Sequence, residues 1–201
     1  MKALITLILT AFLATTSIAQ EMNIETKSVT LDNLITFIVE NYSVKSEDTE
    51  SDQQNISFLI QVPETNLSIE DNVILKQAFK LLSNRLTEDD LISIITYSGF
   101  NGVALKHAEP NAIKKILHTI NNFKSSIKEF HQDGIELAYK YAKENFDEEA
   151  INSVVMVRNP NISSESENTS LLPVKPQKKK NNAVLITAIS LLPELLAIIK
   201  N

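Results

Sequence analysis

The chain of 201 residues has no cysteine and no tryptophan, only three glycines and three histidines, and no excess of positive charge. Each absence excludes something. Without cysteine there are no disulfides, no thiol chemistry and no thiolate zinc site, so the fold must be held by core packing alone. Gly99, Gly102 and Gly134 are too few and too scattered for a glycine-rich phosphate loop. His107, His118 and His131 match no metal-ligand spacing of the H-E-x-x-H kind. His118 falls on the polar side of a predicted helix and is expected to be solvated. Glu129, His131 and Asp133 are close in sequence, but in a polar stretch they read as solvent-facing charge rather than an acid–base set. Ser98 before Gly99 has no G-x-S-x-G context and reads as turn chemistry. A net charge of −6 speaks against nucleic acid as a partner, because phosphates demand a basic face. The expectation is a non-enzymatic protein without a cofactor.

What is present is apolar material. At 43% hydrophobic residues, the chain can build one real core and carry tails. Residues 1–19 are set apart: Lys2 is a minimal positive start, Leu4 to Leu13 is almost wholly apolar, and Ser17-Ile18-Ala19 is a small-x-small cleavage pattern. This reads as a signal peptide with Gln20 as the mature start, which places the protein in the periplasm or cell envelope. Lys2 is the one charge removed, so processing takes the net charge from −6 to about −7.

Residues 20–54 read as an N-terminal extension with one helix. Residues 20–29 are polar and expected to be flexible. Leu31, Leu34, Ile35 and Ile38 have helical spacing, with Thr30 as a candidate cap. Lys45 to Gln54 has no apolar residue and reads as a loop. The run Ile56–Gln61 is a buried central strand, followed by the loop Val62-Pro63-Glu64-Thr65. Ser68-Ile69-Glu70-Asp71 resembles a capping box, and Leu75, Ala78, Phe79, Leu82 and Leu86 continue as a helix. Leu91–Tyr97 and Val103–Leu105 read as a hairpin around Ser98–Gly102. Pro110 suits the first turn of a helix carrying Ile113, Ile116, Leu117, Ile120 and Phe123. A further helix holds Ile135, Ala138, Tyr139 and Ala142, with Gly134 allowing close backbone packing. Ile151–Val157 is a last strand. The order predicts an α/β fold: a mostly parallel sheet with one antiparallel hairpin and helices on both faces.

Residues 161–182 are a polar linker that includes Lys178-Lys179-Lys180, and residues 183–201 form a predicted apolar to amphipathic helix. That helix is short for a membrane span, and the lysines sit on the wrong side of it for an exported body. Thr187, Ser190 and Glu194 form a polar stripe, so docking on protein, or peripheral contact with a membrane, suits it better.

The motifs Ser57–Val62, Leu75–Leu82 and Leu86–Gly99, the last matching a "LxxxDRVSIVTYAG" pattern, resemble a von Willebrand factor type A domain of the bacterial secreted branch. Gly134–Tyr139 with Ala142–Phe146 is similar to that branch's "GIxLAYxxAxENF" helix, and Leu31–Phe37 to its "EExINYF" helix. The likeness covers roughly residues 28 to 160, and the domain proper is read as 55–160. Such domains carry a divalent cation at the carboxyl end of the sheet, in a metal-ion-dependent adhesion site. The resemblance places its ligand positions on Gln61, Pro63, Thr65, Glu129 and Asn159. Two carboxylates become amides and one hydroxyl a proline, so the resemblance implies a degenerate site that no longer holds its ion.

The family also continues with two further strands after its fourth. Here a linker follows Val154–Val157, so the chain reads as truncated, with that strand as an exposed edge. Two functions follow from this reading. One is an envelope protein-binding module that engages an unknown protein partner without metal, through Glu64, Thr65 and neighbouring loops. The other is a vestigial or subunit-like scaffold engaging one dedicated partner, or a membrane surface, through the exposed edge and the terminal helix (Leu185, Ile189, Leu192 and Leu196).

Overall fold

The computed structural model describes residues 22–43, 52–65 and 67–162. The signal segment 1–19 and the terminal helix 183–201, with Leu185, Ile189, Leu192 and Leu196, lie outside the described residues, as does the linker from residue 163 onward.

Among the described residues, five strands and five helices follow one another along the chain. They are β1 (Ile24–Thr30), α1 (Leu34–Asn41), β2 (Gln53–Val62), α2 (Ile69–Ser83), β3 (Leu91–Ser98), β4 (Gly102–Ala108), α3 (Ile113–Asn121), α4 (Phe123–Ser126), α5 (Gly134–Glu144) and β5 (Ala150–Arg158). The sheet order is β1-β5-β2-β3-β4. All neighbours are parallel except the β3–β4 hairpin, as expected for an α/β sheet.

The alternation of the central strand builds the two layers. Ile56, Phe58, Ile60 and Val62 of β2 point to one face, where α1, α2 and α3 close the larger core with Leu34, Ile38, Leu75, Phe79, Ile116 and Ile120. Phe58 and Phe79 meet edge to face at 4.9 Å, both fully buried. Leu59 points to the opposite face, with Ile95 and Val154, and α5 packs there through Leu137, Ala138 and Tyr141. Helices therefore cover both faces, with α5 the one described helix of the second. Gly134 starts α5 against the sheet: an added Cβ there would lie 2.5 Å from the Thr96 carbonyl oxygen and 2.7 Å from Tyr97 Cβ.

Several boundaries differ from the sequence reading, one of them with consequences for the whole fold. Residues 24–30 are a strand rather than a flexible segment. β1 runs parallel to β5 over its whole length, from Ile24 opposite Asn152 to Thr30 opposite Arg158. Leu31, Leu34, Ile35 and Ile38 are buried in the main core, so this segment belongs to the domain and is no extension of it. It follows that β5 lies inside the sheet, between β1 and β2, and that Val154–Val157 is not an exposed edge. Among the described residues the edges are β1 and β4.

Local capping also differs in places. Thr30 does not cap a helix: a 3-10 turn at Leu31–Asn33 intervenes, and the Thr30 hydroxyl accepts from the Asn33 amide at 3.0 Å. Pro110 lies in the turn before α3, which starts only at Ile113. Ser68 does cap α2, accepting the Asp71 backbone N–H at 3.0 Å.

Candidate functional site

The carboxyl ends of the parallel strands, where α/β sheets place their binding loops, carry Gln61 at the end of β2 and Asn159 just after β5. These two residues are brought together. Because β2 and β5 are neighbours in register, the Asn159 backbone N–H reaches Gln61 Oε1 at 3.0 Å. The Asn159 side-chain amide donates to Asp71 Oδ2 at 2.9 Å, and the Asn161 amide donates to Asp71 Oδ1 at 3.2 Å. Asn159 Oδ1 in turn accepts the Asn161 backbone N–H at 2.9 Å, which fixes the orientation of its amide.

Asp71 is the residue that sequence reasoning missed. It reads as the fourth residue of a capping box, but its carboxylate turns inward and is only 4% exposed. Its position in the first turn of α2 suits a negative charge, since free backbone N–H groups converge there. The amide donors complete its shell.

This donor set does not fit a divalent cation. Magnesium and calcium need several oxygens free to point inward, with anionic charge among them to offset dehydration. Each oxygen of the Asp71 carboxylate already accepts from an amide, Gln61 Oε1 accepts a backbone N–H, and the Asn159 nitrogen occupies the side on which a metal ligand would present oxygen. Among the described residues no group of three or more acidic or histidine side chains is clustered to hold a metal.

The remaining expected positions separate from this network. Pro63, Glu64 and Thr65 line a surface groove of about 620 Å³ with Phe100, Ile120 and Lys124, on the side of α3 and α4. Gly99 holds the loop there. Its N–H donates to the Val62 carbonyl at 2.8 Å, and a Cβ on it would lie 2.1 Å from the Pro63 carbonyl carbon. Glu64 and Thr65 are exposed. Beside them α2 presents Ile69 at 87% exposure, with Val73 one turn on at 44%.

Glu129 takes no part in the hydrogen bonds that join Gln61, Asn159 and Asp71. It is exposed in the loop before α5, where it faces a different groove along β4 with His118 and His131. Asp133, its neighbour in sequence, is the N-cap of α5, its Oδ1 accepting the Ile135 and Glu136 N–H groups at 2.7 and 3.1 Å. Ser98 is the last residue of β3, where the chain enters the turn. It has φ 87°, and its N–H is taken by the Asn101 side chain at 3.1 Å.

Comparison with known proteins adds little function to this geometry. No protein-family model matches the chain, and no solved structure matches it. The chain is similar to a protein of Escherichia coli (strain K12) known as "Uncharacterized protein YfbK", at 24% identity over 133 residues, which takes in 66% of this chain. The matched part is only 23% of that protein's length.

Proposed function

We propose that this chain is a von Willebrand factor A-like domain of an exported bacterial envelope protein, and that it binds another protein without metal and without catalysis. The observation that carries the reading is the Asp71 carboxylate held by the Asn159 and Asn161 amides at the carboxyl end of the sheet. Amide–carboxylate bonds supply the cohesion there that an ion would otherwise supply. The binding surface is the loop from Pro63 to Thr65 together with the adjoining first turns of α2. A solvent-facing isoleucine beside an exposed carboxylate and hydroxyl gives that surface an apolar anchor with a polar rim.

In the family, further strands pair beyond the fourth. Here β1, arriving from the other end of the chain, pairs with β5 in that place. The reading therefore needs no partner to protect β5, and the scaffold alternative loses its exposed edge.

The test is capture of envelope proteins on the immobilised chain, with and without EDTA. Retention that is unaffected by EDTA but lost in Glu64→Lys/Thr65→Lys supports the proposal. Release by EDTA refutes metal independence. Retention that survives the loop variant but is lost on deleting residues 183–201 transfers binding to the terminal helix.

A further inference from the structure

β4 is the outer strand beside β3, and its free side faces a groove of about 600 Å³ formed with α3, α4 and the loop before α5. The consecutive residues Val103, Ala104, Leu105 and Lys106 all line it. Among the described residues β4 has no strand partner on that side, so the groove follows its outer edge, where outward main-chain N–H and C=O groups lie.

The groove is bounded at one end. At Gly102 the loop before α5 closes in so tightly that an added Cβ would lie 2.3 Å from the Ile127 side chain and 2.9 Å from the Glu129 carbonyl oxygen. Below that point the groove follows the strand over Val103 to Lys106, a length of about 13 Å at the usual rise per residue, with Lys106 exposed and Leu105 buried.

Its charge is opposite to that of the chain as a whole. Lys106, Lys115 and Lys128 line the groove against the single carboxylate of Glu129, in a protein of net charge −6. Among the described residues none of these three ammonium groups is in an ion pair. The half-buried Val103 supplies apolar wall beside them, while Leu105 is itself buried in the main core.

We propose that the β4 edge and this groove are a second binding surface, which takes an extended, acidic peptide segment of a partner protein by strand addition. Main-chain hydrogen bonds to the edge give a general affinity for extended chain. An apolar side chain of the peptide meets Val103, and its carboxylates meet Lys106, Lys115 and Lys128, which selects acidic sequence and sets the encounter rate. The surface differs from the Pro63–Thr65 loop, so it stands or falls separately from the function proposed above.

The probe is a fluorescent octapeptide of alternating valine and glutamate, titrated with the full chain and followed by anisotropy. Three controls accompany it: the same peptide N-methylated at alternate residues, a valine–lysine counterpart, and the variant Lys106→Glu/Lys128→Glu, whose folding is checked by circular dichroism. Binding of the acidic peptide is expected, weakened about tenfold or more by N-methylation and by the double charge reversal, with no binding of the basic peptide. Equal binding of the N-methylated peptide would reduce the groove to a charged patch and overturn strand addition. No binding of the acidic peptide would show that the lysines only guard the edge against aggregation. Concentration-dependent dimerisation that blocks the peptide would assign the edge to a second copy of this chain, also against the proposal.

Discussion

The side-chain amide of Asn159 donates to the carboxylate of Asp71 at 2.9 Å, joining residues 88 positions apart, and both are buried. That bond ties the end of β5 to the first turn of α2. Removing the acceptor leaves the Asn159 donor buried without a partner. Asp71→Ala is therefore expected to lower unfolding stability by about 2 kcal/mol or more. Asp71→Asn, which keeps one acceptor, is expected to cost about half as much. Urea denaturation read by circular dichroism measures both, and equal stabilities for the two variants and the wild type would remove the bond from any structural role.

A second expectation concerns the loop that carries Glu64 and Thr65. Gly99 packs under it with no room for a methyl group, since the clash would be with backbone atoms of Pro63 and Glu64 that cannot rotate away. Gly99→Ala should displace the loop and cost about 3 kcal/mol, at the upper end of overpacking penalties. Loop displacement is read separately, as loss of partner capture under conditions where the variant remains folded.

Much of this architecture was legible in the sequence because most elements bury an apolar stripe. β2, β3 and β5 read as strands from their Val, Ile and Leu content, and α2 from Ser68 and its helical spacing. β1 was not legible by that signal. It is an edge strand with Glu25 and Lys27 ion-paired at 3.0 Å on one face and the exposed Thr26 and Ser28 on the other, so only Val29 is buried. Its β-branched residues Ile24, Thr26, Val29 and Thr30 were the remaining cue. The site was half legible. Gln61 and Asn159 fell together as the resemblance implied, but Glu129 did not join them. Asp71 was hidden because its partners are set by tertiary pairing, and a capping pattern describes only the local backbone.

The third expectation is a loss of stability in alkali. Burial pushes the Tyr42 hydroxyl far above its ordinary pKa of 10.0, and the nearby Glu25 adds to this; the Ser153 hydroxyl partly offsets it without reaching hydrogen-bond geometry. Tyr97 and Tyr141 are also raised, chiefly by burial, with Arg158 and a hydrogen bond shared with Ser93 respectively pulling back. A folded-state pKa above the unfolded value means that stability is fully present below pH 10 and declines as pH rises beyond it, because only the unfolded chain readily loses these protons. Denaturation midpoints measured from about pH 8 to about pH 11.5 should be flat at first and then fall. Tyr42→Phe should flatten the fall most. An unchanged alkaline slope in that variant would mean that the ring is solvated.

The last expectation turns the amide network back toward a cation site. In the wild type, EDTA, Mg²⁺ and Ca²⁺ should all leave the melting temperature unchanged, because the Asp71 oxygens are taken by amide donors. Gln61→Asp with Asn159→Asp brings two carboxylates up to Asp71. Without metal, the carboxylate introduced at position 159 faces Asp71 where a donor stood, and the lost bond plus like-charge repulsion should destabilise the protein by about 3 kcal/mol. With millimolar Ca²⁺ the same oxygens become ligands, and the ion recovers stability in proportion to the logarithm of its concentration above the dissociation constant. Calcium-dependent melting in the double variant alone would show that the two amides are what closes this site to metal. Calcium-dependent melting in the wild type would show that Asp71 still binds a cation and would refute the metal-independent reading. A double variant that is destabilised and stays so in calcium would mean that the positions of Gln61 and Asn159 no longer describe a coordination shell.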